Sequence, residues 1–248
     1  MSKKDKELKK LRLPNELIAI KNADKSFHEK WTPNRNPLNI PHPFRLVALG
    51  PPNVGKSTTI KNIILRSKPM FDEVYIIHCD PDGTKEYDDI GAVFLSEFPP
   101  PESWKSKGKK LVIIDDVELK SLSKDQMKNL DRLFGYSSTH QGISVCLCSQ
   151  DPFNVPSIVR RCANVFVLWK GRDLDSMSTT ARKSGMRSKE MRGIFDQLMP
   201  NFRDSLWIDL TTDSPYPLRK NGFLMINKTS ECEDTKKFVE SMDKFEVD

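Results

Sequence analysis

The residues with the clearest chemical potential lie together in the octapeptide Gly50-Pro51-Pro52-Asn53-Val54-Gly55-Lys56-Ser57. Its spacing, G-x-x-x-x-G-K-[ST], is that of a loop that wraps a polyphosphate. Gly50 and Gly55 free the backbone to curl, so that successive N–H groups converge on one anion. Lys56 supplies a mobile positive charge for the β- and γ-phosphates, and Ser57 a hydroxyl for Mg2+. Pro51, Pro52, Asn53, Val54 and Thr58 complete the set expected to touch the nucleotide. The flanks provide the context the pattern requires. Phe44-Arg45-Leu46-Val47-Ala48-Leu49 reads as a buried strand, and Thr58 to Leu65 as a helix whose N-terminal dipole end faces the anion.

A second stretch, Lys110-Leu111-Val112-Ile113-Ile114-Asp115-Asp116, is an apolar strand that ends in two acids. This is the form of a Walker B element. It places Asp115 at the carboxyl edge of a sheet, where ligands bind in open α/β folds, and there Asp115 would hold Mg2+. Asp116 is positioned to orient and deprotonate an attacking water. Because Asp is one methylene shorter than the Glu common at this point, the water must sit closer or Glu118 must assist. The alternative is that Asp116 only caps the following turn. The strand Ile143-Ser144-Val145-Cys146-Leu147-Cys148 ends in Ser149-Gln150, and Gln150 is a candidate sensor of the γ-phosphate or the lytic water. His78-Cys79-Asp80 reads as a strand end beside the nucleotide site in preference to a metal cluster.

The elements that must position these groups are strands alternating with helices. Further strands are expected at Val74–His78, Ala92–Leu95, Asn164–Trp169, Leu206–Leu210 and Phe223–Ile226, the last two as a hairpin at the sheet edge. Gln126, Met127, Leu130, Leu133 and Phe134 fit one helix, Val155 to Cys162 a short one, and 173–200 reads as helical. Uninterrupted apolar strands of this kind suit a parallel sheet covered on both faces. The expected organisation is a peripheral basic segment over 1–43, a core domain over 44–226 and a polar acidic tail over 227–248.

The 248 residues can bury a substantial core. Five cysteines, two of them inside one strand, point to reduced thiols rather than a disulfide frame. No apolar run approaches the roughly 18 residues of a membrane span, and no secretory signal is expected from the first residues. The net charge of +6 suits a polyanionic partner, or a merely solvated basic surface. Six of the first twelve residues are basic, which fits either contact with nucleic acid or a solvated terminus.

The order of these motifs carries a resemblance. The phosphate loop, Leu111-Val112-Ile113-Ile114-Asp115-Asp116, Leu133-Phe134 with His140, the Gln150-tipped strand and Pro156-Ser157-Ile158-Val159-Arg160-Arg161-Cys162-Ala163-Asn164 together resemble the viral genome-packaging ATPases of the FtsK–HerA superfamily, as in poxviruses, giant viruses and virophages. The resemblance covers roughly residues 44–170 and implies an α/β fold: a RecA-like P-loop NTPase of the additional-strand class, with a central mainly parallel sheet, strand order near 5-1-4-3-2, flanked by helices. It implies ATP and Mg2+ as cofactors and a homo-oligomeric ring of five or six subunits. It further implies sequence-independent movement of double-stranded DNA into a preformed capsid and contact with capsid vertex or portal-like proteins. The setting would be the intracellular site of virus assembly or the virion. In such rings an arginine of one subunit reaches the γ-phosphate of the next. Relatives often carry Arg just before the histidine matched by His140; here that position is Thr139, so Arg160 and Arg161 become the candidates, with Arg132 behind them. Lys170, Arg172, Arg182, Lys183, Arg187, Lys189 and Arg192 could grip DNA phosphates or simply be a solvated face. Two other readings stand beside this one: a nucleotide or small-molecule kinase, and a non-catalytic nucleotide-binding virion assembly protein.

Overall fold

The computed structural model describes residues 40–67, 70–78, 80, 87–104, 107–171, 173–211, 217–222 and 224–226. The basic N-terminal segment, Arg172 and the acidic tail lie outside the described residues. Among the described residues, nine strands form a single sheet. They are β1 (Arg45–Leu49), β2 (Glu73–His78), β3 (Val93–Leu95), β4 (Lys110–Asp115), β5 (Ile143–Ser149), β6 (Val165–Trp169), β7 (Ser205–Asp209), β8 (Leu218–Lys220) and β9 (Leu224–Met225). Their spatial order is β3-β2-β4-β5-β1-β6-β7-β8-β9. The first six are parallel, and β7, β8 and β9 each pair antiparallel with the preceding strand.

With the short edge strand β3 set aside, the parallel strands run β6-β1-β5-β4-β2, which, numbered afresh along the chain, is 5-1-4-3-2, the order expected from the resemblance. The physical consequence is local. Strand β5 lies between the phosphate-loop strand β1 and the acid-tipped strand β4, with Leu49 opposite Ser149 and Asp115 opposite Cys148. The ladders therefore hold the tips of β1, β4 and β5 side by side.

Strands β1, β4, β5 and β6 are apolar along nearly their whole length because both faces are covered. Side chains alternate between faces. Val47, Leu49, Val112, Ile114, Val145, Leu147, Phe166 and Leu168 join one core. Leu46, Ala48, Leu111, Ile113, Cys146, Cys148, Val165 and Val167 join the other. Helix α1 (Lys56–Arg66) packs Ile60, Ile63 and Ile64 onto the second face. The first face takes α2 (Lys124–Arg132), α3 (Ser157–Cys162), α4 (Leu174–Lys183) and α5 (Ser188–Leu198), through Leu130, Val159, Met177, Ala181, Met191 and Phe195. Helix α2 starts at Ser123, whose side chain accepts from the Gln126 N–H, and runs on through a π-helical turn, Leu133–Ser137, to His140.

The stretch 173–200 is helical, as two helices between which Gly185, at φ +76, turns the chain. One expectation needs correction. The hairpin partner of β7 is β8, and Leu224–Met225 pairs only with β8. Leu218-Arg219-Lys220 has little apolar content to mark it as a strand. Arg219 is nonetheless buried, with its guanidinium 5.6 Å from the Trp207 ring centroid. Among the described residues, no helix is long and apolar enough to cross a membrane.

Candidate nucleotide-binding site

The phosphate loop joins the tip of β1 to the first turn of α1. Asn53 (φ 64) and Gly55 (φ 99) both take left-handed backbone conformations, which curl the loop and turn its amides inward. Val54 is buried and anchors the loop to the core. Gly50 is required for a different reason. A Cβ there would lie 2.8 Å from Trp169 Cβ, so the loop passes directly against the end of β6. Helix α1 has no side-chain cap and no acid in its first turn. Its N-terminal amides therefore face the pocket without a competing carboxylate, as an anion site requires. The Lys56 ammonium folds back and donates to the carbonyls of Gly50 (2.9 Å) and Pro51 (2.8 Å), which keeps it over the loop.

Asp115 ends β4 nearly buried, and the Tyr87 hydroxyl donates to its Oδ2 at 2.7 Å. Ser57 lies near the same hydroxyl and lines one cavity with Asp115, so the two side chains expected to hold a metal face a common space. Burial raises the Asp115 carboxyl above the ordinary carboxylate range, opposed by the Tyr87 hydrogen bond, His78 and Lys56. A cation at that point would restore its charge. The donor set, one hydroxyl and one carboxylate, fits Mg2+, which takes one or two protein oxygens and completes its shell with phosphate and water oxygens. Among the described residues there is no cluster of three or more His, Cys, Asp or Glu side chains able to hold a metal, and an ion of this kind needs none.

Asp116 follows with φ 53, a left-handed backbone that is rare for a non-glycine residue and collects at functional sites. This twist turns its side chain toward the tip of β5, where Gln150 Nε2 donates to Asp116 Oδ1 at 2.9 Å. Asp116 therefore pairs with the predicted sensor. Glu118 accepts from the Lys120 N–H and caps a short 3-10 turn, which occupies it structurally.

These groups line one open cavity of about 760 Å³, bounded by Pro52 to Thr59, His78, Asp115, Asp116, Gln150 and Arg203. Lys56, Ser57, Asp115, Asp116 and Gln150 thus line one cavity. His78 reaches the cavity from the end of β2, and its Nδ1 accepts from the Asp80 N–H. Arg160 and Arg161 do not reach this cavity within one chain. On helix α3, Arg160 lies near Lys183 and Arg161 near Asp131, and the helix ends where the Arg45 guanidinium donates to the Cys162 carbonyl and to Thr139 Oγ1 (3.0 Å). Arg132 is likewise outside the cavity, exposed at the end of α2. Of the proposed DNA-gripping cations, Lys170 pairs with Asp196 at 2.7 Å. The Lys183 ammonium turns inward onto the carbonyls of Pro152 and Val155. Burial, with Arg160 nearby, lowers its pKa to about 8.

Two residues that sequence reasoning missed stand out. Tyr87 and Arg203 belong to no motif. Tyr87 reaches Asp115, and Arg203 the cavity, only through tertiary packing.

The sheet order and the phosphate loop give this chain the fold of a P-loop NTPase. The genome-packaging NTPase B204 of Sulfolobus turreted icosahedral virus 2, solved with AMPPCP, matches with TM-score 0.53 at 16% identity, over 71% of this chain and 95% of that one. The DNA-packaging ATPase B204 of Sulfolobus turreted icosahedral virus matches with TM-score 0.54 at 15% identity, over 71% and 95%. EssC (ATPases 2 and 3) from Geobacillus thermodenitrificans matches with TM-score 0.51 at 10% identity, over 82% of this chain and 44% of that one. Comparison with protein-family profiles and with curated protein sequences gives no match.

Proposed function

We propose that this protein is an ATP-hydrolysing translocase that drives double-stranded DNA into a preformed viral capsid. The observation that carries the hydrolytic part is the Gln150–Asp116 hydrogen bond at the mouth of the phosphate-loop cavity. An acid held at that position can take the proton of an attacking water; a kinase would in addition need a site that holds an acceptor hydroxyl against it. The twisted backbone of Asp116 and the Gln150 amide fix the carboxylate there.

In this reading the loop amides and Lys56 bind the β- and γ-phosphates, and Ser57 and Asp115 hold Mg2+. The ion supplies charge neutralisation for the triphosphate. Asp116 takes a proton as water oxygen bonds to the γ-phosphorus and the bond to the β-phosphate oxygen breaks, releasing ADP and phosphate. Gln150 touches both the base and the incoming oxygen, so the tip of β5 registers whether the γ-phosphate is present. Arg160 or Arg161 would serve a neighbouring subunit of a five- or six-membered ring. Their distance from the cavity in their own chain is what a residue acting in trans requires. The +6 charge supports a grip on phosphate backbone, and the B204 neighbours support genome packaging at an assembling capsid vertex. DNA, ring and capsid are parts of the proposal that rest on this resemblance.

The test is ATP turnover with and without double-stranded DNA, on the wild type, Lys56→Ala and Asp116→Asn. The expected result is DNA-stimulated phosphate release, abolished by Lys56→Ala. Asp116→Asn should lower turnover about 10²–10⁴-fold while ATP still binds. Turnover that DNA does not change, or that needs a phosphorylated acceptor, would refute the translocase. Binding with no turnover in the wild type would point to the assembly-protein reading.

A further inference from the structure

The nucleotide cavity has a cation on its own chain that neither motif contains. Arg203 is exposed and lines the cavity together with the phosphate loop. Its guanidinium has no hydrogen-bond or ion-pair partner among the described residues, whereas Lys56 is engaged with loop carbonyls.

The backbone beneath Arg203 is fixed. Its carbonyl accepts from Trp169 Nε1 at 3.2 Å, and Trp169 is the residue pressed against Gly50. The next residue, Asp204, is buried. Its carboxylate accepts from the Asn201 N–H (3.0 Å) and from Asn221 Nδ2 (2.9 Å), and lies 3.4 Å from the Lys220 ammonium. The Asp204 N–H closes the turn onto the Asn201 carbonyl. The turn is therefore braced against the phosphate loop on one side and β8 on the other. Arg203 is the residue of this turn that lines the cavity.

The side from which Arg203 enters follows from topology. Strand β7 begins at Ser205, opposite Trp169 at the end of β6. Strand β6 flanks β1 on the side away from β5 and β4. Asp116 and Gln150, at the tips of those two strands, mark the γ-phosphate end. Arg203 stands on the far flank of the loop, where the nucleoside end must lie.

We infer that Arg203 is a specificity contact for the nucleoside, its planar guanidinium lying against the base. Arginine suits this role, since it is weakly hydrated, always charged and stacks on π-faces. The inference rests on the nucleotide-binding reading of the cavity and deepens it. It differs from a trans arginine in two ways: it acts within one chain, and it acts at the end of the ligand remote from the bond that breaks.

The experiment is isothermal titration calorimetry of ATP, ADP and inorganic tripolyphosphate against wild type, Arg203→Met and Lys56→Ala, with thermal melts of each. Arg203→Met keeps the apolar stem of an exposed side chain, and its melting temperature should equal the wild type's. It should weaken ATP and ADP by the same factor, about fivefold to thirtyfold, and leave tripolyphosphate unchanged. Lys56→Ala should weaken all three. Unchanged ATP and ADP affinity in Arg203→Met would overturn the inference while the nucleotide reading stands. So would a loss confined to ATP, which would mean a γ-phosphate contact, or an equal loss for tripolyphosphate, which would mean a phosphate contact. Failure of the wild type to bind ATP or ADP would overturn the nucleotide reading itself, and the inference with it.

Discussion

Replacing Gly50 by Ala tests whether the phosphate loop is shaped by the end of β6. The added Cβ would sit 2.8 Å from Trp169 Cβ and 3.1 Å from both Trp169 Cε3 and Val54 Cγ2. Carbon pairs rest at about 3.5–4.0 Å, so the closest contact overlaps by about 0.7 Å or more. Neither neighbour can withdraw easily. Trp169 is 2% exposed, its indole N–H is bonded to the Arg203 carbonyl, and its strand is held between β1 and β7. Val54 is 1% exposed. The loop itself must move. Overpacking of this kind costs about 1–3 kcal/mol, seen as a lower urea midpoint with unchanged slope. The displacement also reaches chemistry, because a shift of about 1 Å in a positioning element costs turnover about 10²-fold. Gly135→Ala is the control. A Cβ there meets nothing within 4 Å, and the residue lies in the helical run after α2. It should be neutral or gain up to about 1 kcal/mol. Urea unfolding and steady-state ATP turnover on both variants decide the matter. A Gly50→Ala protein as stable and as active as wild type would refute the claim that Trp169 sets the loop's path.

Further outcomes follow from other contacts. Gln150→Ala removes the donor to Asp116 and should lower ATP turnover about 10²-fold with ATP affinity within about twofold, read by turnover and calorimetry. An equal loss of affinity would make Gln150 a binding residue instead. Tyr87→Phe leaves the buried Asp115 carboxylate without its hydroxyl partner and should cost about 1–3 kcal/mol in urea unfolding, a deficit that MgATP reduces. His42 is buried against Ser144, and burial, with Lys109 nearby, lowers its pKa to about 3. The unfolded imidazole takes a proton near pH 6.5, so between these values the unfolded state binds more protons. Stability should therefore fall as pH drops below about 6.5, by up to about 1.4 kcal/mol per unit, and level off near pH 3. His42→Gln should flatten that part of the urea-midpoint profile relative to wild type; an unchanged slope would clear His42 of the effect.

The parallel half of the sheet was legible because its strands are buried on both faces and leave continuous apolar runs. Leu46 to Leu49 and Leu111 to Ile114 need no partner information to be read. The positions of Asp115, Asp116 and Gln150 were legible for a related reason: each sits at or just past the tip of such a run, so its place at the sheet edge follows from the strand. The antiparallel extension was less legible. Strand β8 contributes Leu218-Arg219-Lys220, in which only one side chain is apolar, and Arg219 is buried by stacking on Trp207 rather than by its own hydropathy. Tyr87 reaches Asp115 from a separation of 28 residues and Arg203 reaches the loop through Trp169 from 34. Neither reach leaves a trace in local spacing.

These two modes of placement have different mechanical consequences for the site. Asp115, Asp116 and Gln150 end strands that are laddered to β1 through β5, so they shift with the phosphate loop as one body. Between them the adjustable parts are side chains and the left-handed peptide at Asp116, which holds its conformation while Gln150 holds its carboxylate. A change at the γ-phosphate that draws Gln150 away removes that restraint and frees the turn after β4. On the other flank the connection runs through a single indole: Gly50 touches Trp169, and Trp169 holds the Arg203 carbonyl. Under the proposed function, occupancy of the nucleoside end would be felt by β7 and the antiparallel strands beyond it, and the state of the γ-phosphate by the tips of β4 and β5. Two separate reporters on opposite flanks of one loop would be sufficient to distinguish an empty site from one holding ADP and one holding ATP.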